Sequence, residues 1–393
     1  MIKGHIKKTE FAVVLGLSVN GLGQVRSLSK ENIKVFGIYT EKSELGWSSN
    51  QCTAIRFSRQ KSNKLDFKNR LIRIARNLKA KPVLFPTSDF YVNFISEFRV
   101  ELKKYFYFNM VGSEKLNTII NKHLIKELAQ KNGLVVPETY YLTSYTAVHK
   151  ISKLIAYPCL IKPINSYSIS FPWKNILIEN KDELRKFYQL NSKYLKKTVL
   201  QELIPGSDDN IYQCTAYCNR KSGVLAIFTM RKIRQNPPFF GVTSYGAGTK
   251  QAEIAEQTKI FLENIGYHGS CSLEFKWDEK RNKYFFIEMN PRLPHYNSLF
   301  YDSGLNLAYI AYLDQKYPGR KKIFTNSQLS EICWIHFGFD LSSLLAKRRS
   351  KQKIALLLWL KSICKPRSFA YWDKRDPLPF FLSLLTFWNF AKR

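Results

Sequence analysis

Acidic residues are scarce in this chain of 393: 30 Asp and Glu stand against 62 Lys and Arg, leaving a formal charge of +32. That imbalance excludes a surface that repels polyanions and favours one that attracts nucleic acid, anionic lipid headgroups or phosphorylated substrates. Long apolar runs are missing too. No stretch reaches the roughly 18 apolar residues that span a bilayer, and Met1 to Lys8 lacks the apolar core of a signal peptide. The cysteines, Cys52, Cys159, Cys214, Cys218, Cys271, Cys333 and Cys364, follow no disulfide framework, and no second close pair follows Cys214 and Cys218 to complete a zinc spacing. Those two point to one face of a strand, where buried free thiols are expected, and an odd, unpatterned set suits a reducing compartment. A cytoplasmic protein is expected, with the inner face of a membrane as a peripheral station. Internal repeats, low-complexity tracts, a Gly-x-Ser-x-Gly elbow and a Cys/His nucleophile signature are also missing.

What is present suffices for two or three domains with real cores, since 45% of residues are hydrophobic and 15% aromatic. Phe11 to Gly16 reads as a buried strand, Ser18 to about Ser29 as a turn into a helix, and Val35–Tyr39 and Pro82–Pro86 as further strands, each after a helix. This alternation predicts an open parallel sheet. Gly16, Gly21 and Gly23 are spaced Gly-x4-Gly-x-Gly rather than Gly-x-Gly-x2-Gly, which fits close strand-to-helix packing better than a dinucleotide site. Pro86-Thr87-Ser88-Asp89 ends its strand on the side where open α/β sheets take ligands. One helix is expected from Ser113 to Gly133, with Lys122 near its middle. Strands then follow at Tyr157–Pro163, ending in Lys162-Pro163, at Thr198–Gly206, and around 211–219 and 224–231, the last two in an antiparallel set.

The densest chemistry lies between Ser272 and Arg292. Ser272-Leu273-Glu274-Phe275, the polar turn Asp278 to Asn282 and Tyr284-Phe285-Phe286-Ile287-Glu288-Met289-Asn290-Pro291-Arg292 read as a hairpin closing about Lys280 or Arg281. That closure sets Glu274 opposite or diagonal to Glu288. Alternation puts Glu288, Asn290 and Arg292 on one side, with Phe286 interrupting it. Two carboxylates and an amide oxygen then converge, a donor set suited to Mg²⁺, which binds through one or two carboxylates and the phosphates of its nucleotide. The plainer reading is a solvated hairpin face. Strands this apolar argue against it, because each inward charge must find a partner or a metal.

Taken in order, Lys122, Lys162-Pro163, Gln201-Glu202, Arg231-Lys232, Glu274 and Glu288-x-Asn290-Pro291-Arg292 resemble the ATP-grasp superfamily, and within it the carboxylate-amine ligases, a group that includes D-aspartate ligase and carbamoyl-phosphate-synthase-like proteins. The resemblance covers roughly residues 10 to 320 and implies an α/β plus α+β fold. It comprises an open parallel pre-ATP-grasp domain over 1–112, a two-subdomain ATP-grasp domain over 113–320, and a helical, basic, apolar extension over 321–393. It further implies that Lys122 and Lys162 contact the phosphates of ATP, and that Gln201, Glu202 and the backbone at Leu203 recognise adenine and ribose, with Asp209 a ribose contact. Arg231 or Lys232 would neutralise the γ-phosphate. Glu274, Glu288 and Asn290 would hold Mg²⁺, with Mn²⁺ an alternative, and Arg292 an acyl phosphate or a substrate carboxylate. The implied reaction activates a small-molecule carboxylate as an acyl phosphate for capture by an amine, in envelope or polysaccharide metabolism. A small-molecule kinase on the same fold, or a non-catalytic basic membrane-surface protein on a nucleotide-binding scaffold, are the alternatives.

One feature departs from the pattern. The loop Pro163 to Trp173 contains no glycine, where many family members carry a glycine-rich flap, and Tyr167, Phe171 and Trp173 make it bulky. His295 either touches substrate or packs. Beyond about residue 320 basic runs flank apolar stretches, Leu345 to Lys353 before Ile354 to Leu360, and later Pro379 to Phe390. These suit an interfacial helix on anionic lipid, or a helical pair packed on the body. No specific nucleic-acid partner is expected.

Overall fold

A computed structural model describes residues 10–57, 63–165, 172–173, 175–319, 332–349 and 356–391. Met1 to Lys8, the Ser166 to Phe171 part of the flap and the Ser350 to Ala355 part of the basic run lie outside the described residues.

The apolar run Phe11–Leu15 forms β1, the centre of a parallel four-stranded sheet with β2 (Lys34–Tyr39), β3 (Thr53–Arg56) and β4 (Val83–Pro86), ordered β3-β2-β1-β4. Its side chains alternate between two cores, Val13 and Leu15 on one face, Ala12 and Val14 on the other, as a doubly covered parallel strand requires. The glycine turn after β1 is made for packing. Gly16 adopts φ +90°, and a Cβ on Gly21 would lie 1.8 Å from the Gly16 carbonyl oxygen. Backbone donors that a phosphate would need there are already engaged, because the Glu44 carboxylate accepts from the amides of Leu17 (2.7 Å), Thr40 (2.8 Å) and Glu41 (3.0 Å).

A small antiparallel sheet follows, β5 (Thr139–Tyr141), β6 (Cys159–Pro163), β7 (Ile176–Ile178) and β8 (Thr198–Glu202), ordered β5-β8-β6-β7 around its own core of Leu142, Ile161, Leu184 and Leu200. The third sheet has seven strands: β9 (Ile211–Cys218), β10 (Val224–Asn236), β11 (Val242–Gly248), β12 (Gly269–Asp278), β13 (Lys283–Asn290), β14 (Cys333–Ile335) and β15 (Pro366–Phe369). They run in the order β13-β12-β9-β10-β11-β14-β15, antiparallel except for β14 with β15. Both cores of the parallel sheet continue onto this one. Cys214, Leu273, Phe275 and Phe286 join the first, and Tyr217, Phe228 and Trp334 the second. Cys214 and Cys218 are indeed buried free thiols, with burial pushing Cys214 up to about 12. No cluster of three His, Cys, Asp or Glu fit for a metal occurs among the described residues.

Two expectations change. The single helix predicted over Ser113–Gly133 is two, Ser113–Ile120 and Lys122–Lys131, because Asn121 turns extended and its side chain caps the second through the amides of His123 (3.0 Å) and Leu124 (3.1 Å). Lys122 thus opens a helix instead of sitting mid-way along one. The segment expected as a helical tail supplies β14 and β15 to the edge of the large sheet, since the short runs at Cys333 and Pro366 find unpaired strand edges there.

This segment is pinned to the parallel sheet's flank. Asp376, 1% exposed, accepts from Arg26 Nε (2.9 Å), Ser49 Oγ (2.7 Å) and the Asn50 amide (3.0 Å), while Arg26 Nη2 donates to the carbonyls of Tyr371 and Asp376. Arg26→Ala would leave that carboxylate buried without its cation. We expect a loss of about 3–5 kcal/mol, read from the midpoint of denaturant unfolding.

Candidate active site

The small sheet and the large sheet face each other across a cleft of about 490 Å³. On the small-sheet wall the antiparallel register places Leu160 opposite Gln201, so Leu160, Lys162 and Gln201 share the cleft face while Cys159, Ile161 and Leu200 fill the core behind. Lys162 Nζ donates to Gln201 Oε1 at 2.7 Å, and Gln201 Nε2 to Thr139 Oγ1 at 3.2 Å. Gln201 is 1% exposed and serves as a holder for Lys162. Leu203 follows along the same wall, and Glu202 accepts from the Glu138 amide at 3.1 Å and pairs with Arg281 at 2.7 Å. Arg281 comes from the hairpin turn of the opposite wall. Lys122 reaches the cleft because its amide donates to the Ile164 carbonyl (2.8 Å), just beyond Lys162-Pro163.

The opposite wall is the β12–β13 hairpin. It turns at Glu279 to Asn282, and Glu274 stands directly opposite Glu288, as expected. Phe286 does not interrupt the polar side. The register shifts between Glu274 and Phe275, so Phe275 pairs with Phe286 and Ile287 is an extra residue on β13. This β-bulge resets the alternation. Phe286 and Met289 both enter the core, while Glu288 and Asn290 face the cleft beside Ser272, Glu274 and Lys276. The backbone groups that the bulge disrupts find other partners: the Phe286 amide donates to the Val135 carbonyl (2.8 Å), and Lys126 Nζ donates to the Phe286 carbonyl. Lys126 is 3% exposed, and burial, then the Lys162 charge, holds its ammonium well below the usual lysine range.

Around the two carboxylates the polar contacts are short. Glu274 Oε2 accepts from Gln213 Nε2 (2.7 Å) and Lys232 Nζ (3.0 Å), and Asn290 Nδ2 donates to Glu288 Oε1 (3.1 Å). Lys232 is 2% exposed, and Lys276, whose pKa burial lowers, bonds the Gly206 carbonyl at 2.7 Å. Arg231 does not join this group. One residue along β10, it projects from the other face and pairs with Asp209 at 2.9 Å, both side chains more than 40% exposed and neither lining the cleft. Of the Arg231-Lys232 pair, only Lys232 lines the cleft.

At the far end Arg292 pairs with Asp89 (2.9 Å), which the parallel sheet delivers from the end of β4, and donates weakly to Asn290 Oδ1 (3.4 Å). Buried amides fix this corner. Asn20 Nδ2 donates to the carbonyls of Thr87 (2.7 Å) and Leu293 (2.6 Å), and Asn297 Nδ2 to Asn20 Oδ1 (2.8 Å). His295 lines the cleft and also packs, its Nε2 against the Thr243 carbonyl (2.8 Å) and its ring against Trp334. Of the flap, Trp173 lines the cleft and stacks edgewise on Phe187 and Tyr194.

Sequence reasoning missed Lys126, Gln213, Lys276 and Arg281. Lys276 was legible two residues from Glu274 on the same face. Gln213 and Lys126 depend on the strand register and on where a helix packs, for which the sequence carries no local signal.

Comparison with known proteins agrees with the geometry. Residues 247–311 match the family described as carbamoyl-phosphate synthase L chain, ATP binding domain. A D-aspartate ligase of Enterococcus faecium (strain Aus0004) is 24% identical over 330 residues, spanning 77% of this chain and 76% of that protein. A carbamoyl phosphate synthase large chain of Thermoanaerobacter sp. (strain X514) is 22% identical over 200 residues, 47% of this chain but only 18% of that one. Among solved structures, the biotin carboxylase of Campylobacter jejuni in complex with β-γ-ATP superposes with a TM-score of 0.65 at 17% identity, over 83% of this chain and 74% of that one. The L-amino acid ligase of Bacillus licheniformis superposes at 0.62 with 14% identity, over 83% and 79%. Sheet order, a cleft between two walls and these relatives together make the chain similar to the ATP-grasp carboxylate-amine ligases.

Proposed function

We propose that the chain uses ATP to activate a small-molecule carboxylate as an acyl phosphate, which an amine then captures with release of phosphate. The observation that carries this reading is the charge layout of one cleft. Lys122, Lys162, Lys232 and Lys276 surround a facing carboxylate pair, and a guanidinium stands beyond it. Lysines on flexible stems suit phosphates, and a guanidinium fork suits a carboxylate or acyl phosphate. Adenine and ribose would lie along Gln201, Glu202 and Leu203. Asp209, paired with Arg231 outside the cleft, would meet the ribose only by leaving that partner.

Glu274, Glu288 and Asn290 fit Mg²⁺. Two carboxylates and an amide oxygen face one space, and Gln213 Oε1, beside Glu274, is buried without a hydrogen-bond partner among the described residues. Those three residues would hold the ion, which would supply positive charge against the phosphates of the nucleotide. The chain's own part is positioning. Gln201 aims Lys162, and Lys232 and Gln213 hold Glu274 in one rotamer. Asp89 sets the plane of the Arg292 fork. At the substrate end Thr243 Oγ1 is likewise buried without a partner, a hydroxyl available to a ligand. Similarity to a D-aspartate ligase and to an L-amino acid ligase supports an amino acid as one substrate. A station at the inner face of a membrane, working on envelope or polysaccharide precursors, is supported by the basic and apolar C-terminal sequence.

Screening amino acids with Mg²⁺-ATP, and Mn²⁺ in parallel, should reveal substrate-dependent ADP formation, with hydroxylamine trapping an acyl hydroxamate. Glu288→Gln should lower the rate roughly a hundredfold or more, since charge stabilisation in the transition state is commonly worth that much. A stable phosphorylated acceptor with no hydroxamate would establish the kinase instead, and undiminished function in Glu288→Gln would point to a non-catalytic scaffold. Lys126→Met should raise the Mg²⁺ concentration for half-maximal activity about tenfold, the usual cost of losing a residue behind a metal ligand. An unchanged metal dependence would show that the bulge holds without it.

A further inference from the structure

The C-terminal helix Leu378–Ala391 contains no charged residue in the sequence LPFFLSLLTFWNFA, yet it lies on the surface. Its inner side packs, with Pro379 buried and Phe380 edge-on to Trp372 at 5.3 Å between centroids. Its outer side carries Leu378, Phe381, Leu384 and Leu385, which are 51%, 53%, 37% and 63% exposed. Positions 378, 381 and 385 follow the three-then-four spacing of one helical face, and 384 borders it, so the four form a continuous apolar stripe toward solvent. A contiguous stripe of this kind marks an interaction surface. Its direction is fixed: the Asp376 cluster with Arg26, Ser49 and Asn50 locks the turn from which the helix departs.

Immediately before the helix lies a cavity of about 350 Å³ with cations at its edge. Lys30 is matched there to Asp302 (3.7 Å) and Asp373 (3.8 Å). Arg367, Lys374 and Arg375 are exposed, and none forms an ion pair among the described residues. Trp372, 39% exposed, lies between Arg367 and Lys374 in sequence and lines the same cavity. Apolar side chains bordered by unpaired cations and a tryptophan match the layers of a bilayer surface, with acyl chains below and anionic headgroups above. No helix among the described residues is long and apolar enough to cross a membrane, so the helix would lie in the headgroup plane.

We infer that the stripe Leu378, Phe381, Leu384 and Leu385, with Arg367, Lys374 and Arg375 beside it, docks this protein on an anionic lipid bilayer. The inference gives the membrane station proposed above a specific surface, and it does not depend on the ligase chemistry.

Flotation of the full-length protein with phosphatidylcholine vesicles, and separately with mixed phosphatidylcholine–phosphatidylglycerol vesicles, tests it. Binding is expected to the anionic vesicles only, released by high salt. Lys374→Gln with Arg375→Gln should weaken it roughly tenfold or more, and Phe381→Asp with Leu385→Asp should abolish it. Equal binding to both vesicles, no binding to either, or a Phe381/Leu385 variant that floats like the wild type would each overturn the inference. So would a dimer in solution that the same variant dissociates, since the stripe would then face a second copy. Mg²⁺-dependent ADP formation, measured on the same preparations, should be unchanged in both variants and reports that they are folded. A wild type that floats but forms no ADP would sink the ligase reading and leave the docking surface standing.

Discussion

One extra residue in β13 decides whether this protein has an active site. With strict alternation, Glu288 would share its face with Phe286, and the strand could not pack its aromatic and expose its carboxylate to the cleft together. The bulge at Ile287 lets the strand do both. Its displaced backbone groups are satisfied by Val135 and by a buried lysine from the helix Lys122–Lys131. The same helix opens with Lys122, so one element supports the carboxylate from behind and presents a cation in front. The geometry of Glu274, Glu288 and Asn290, the position of Lys122 and the packing of Phe286 therefore stand or fall together.

Lys122, Lys162, Lys232, Lys276 and Arg292 line the cleft together with Asp89, Glu202, Glu274 and Glu288. Lys232 is paired with Glu274 and Arg292 with Asp89, but Lys162 is held by a neutral amide and Lys276 by a carbonyl. Those contacts orient the ammonium groups on rigid strands, where a polyanionic ligand can meet them.

The parallel sheet, the antiparallel strands and the facing carboxylates could be read from sequence, because periodicity and turn chemistry report local structure directly. Lys162 at the end of an apolar strand was equally plain. What escaped depended on non-local pairing. The mark the bulge leaves in Tyr284 to Asn290 is Phe286 on the side of the carboxylate, which alternation alone reads as an interruption and not as an extra residue. Asn121 splits a helix whose apolar spacing runs through it, since a cap there becomes favourable only when Lys122 finds Ile164. Arg231 sits beside Lys232 in sequence, and strand alternation turns it to the other side, where Asp209 meets it from the turn before β9. The C-terminal segment read equally as a lipid-facing helix or a helical pair on the body, and not as strands, because the strand edge that receives β14 lies far away in the chain.

The small sheet has a core of its own, whereas the parallel and seven-stranded sheets share two. Polar links such as Lys122 to Ile164 and Glu202 to Arg281 join its wall to the other. Side chains that share a core move as one, and polar links exchange readily with water. Freedom of movement is therefore distributed unequally. The wall bearing Lys162, Gln201 and Glu202 can swing as a jaw, while Glu274, Glu288, Asn290 and Arg292 belong to the anvil. A swing of that wall then leaves the corner where Arg292 meets Asp89 undisturbed.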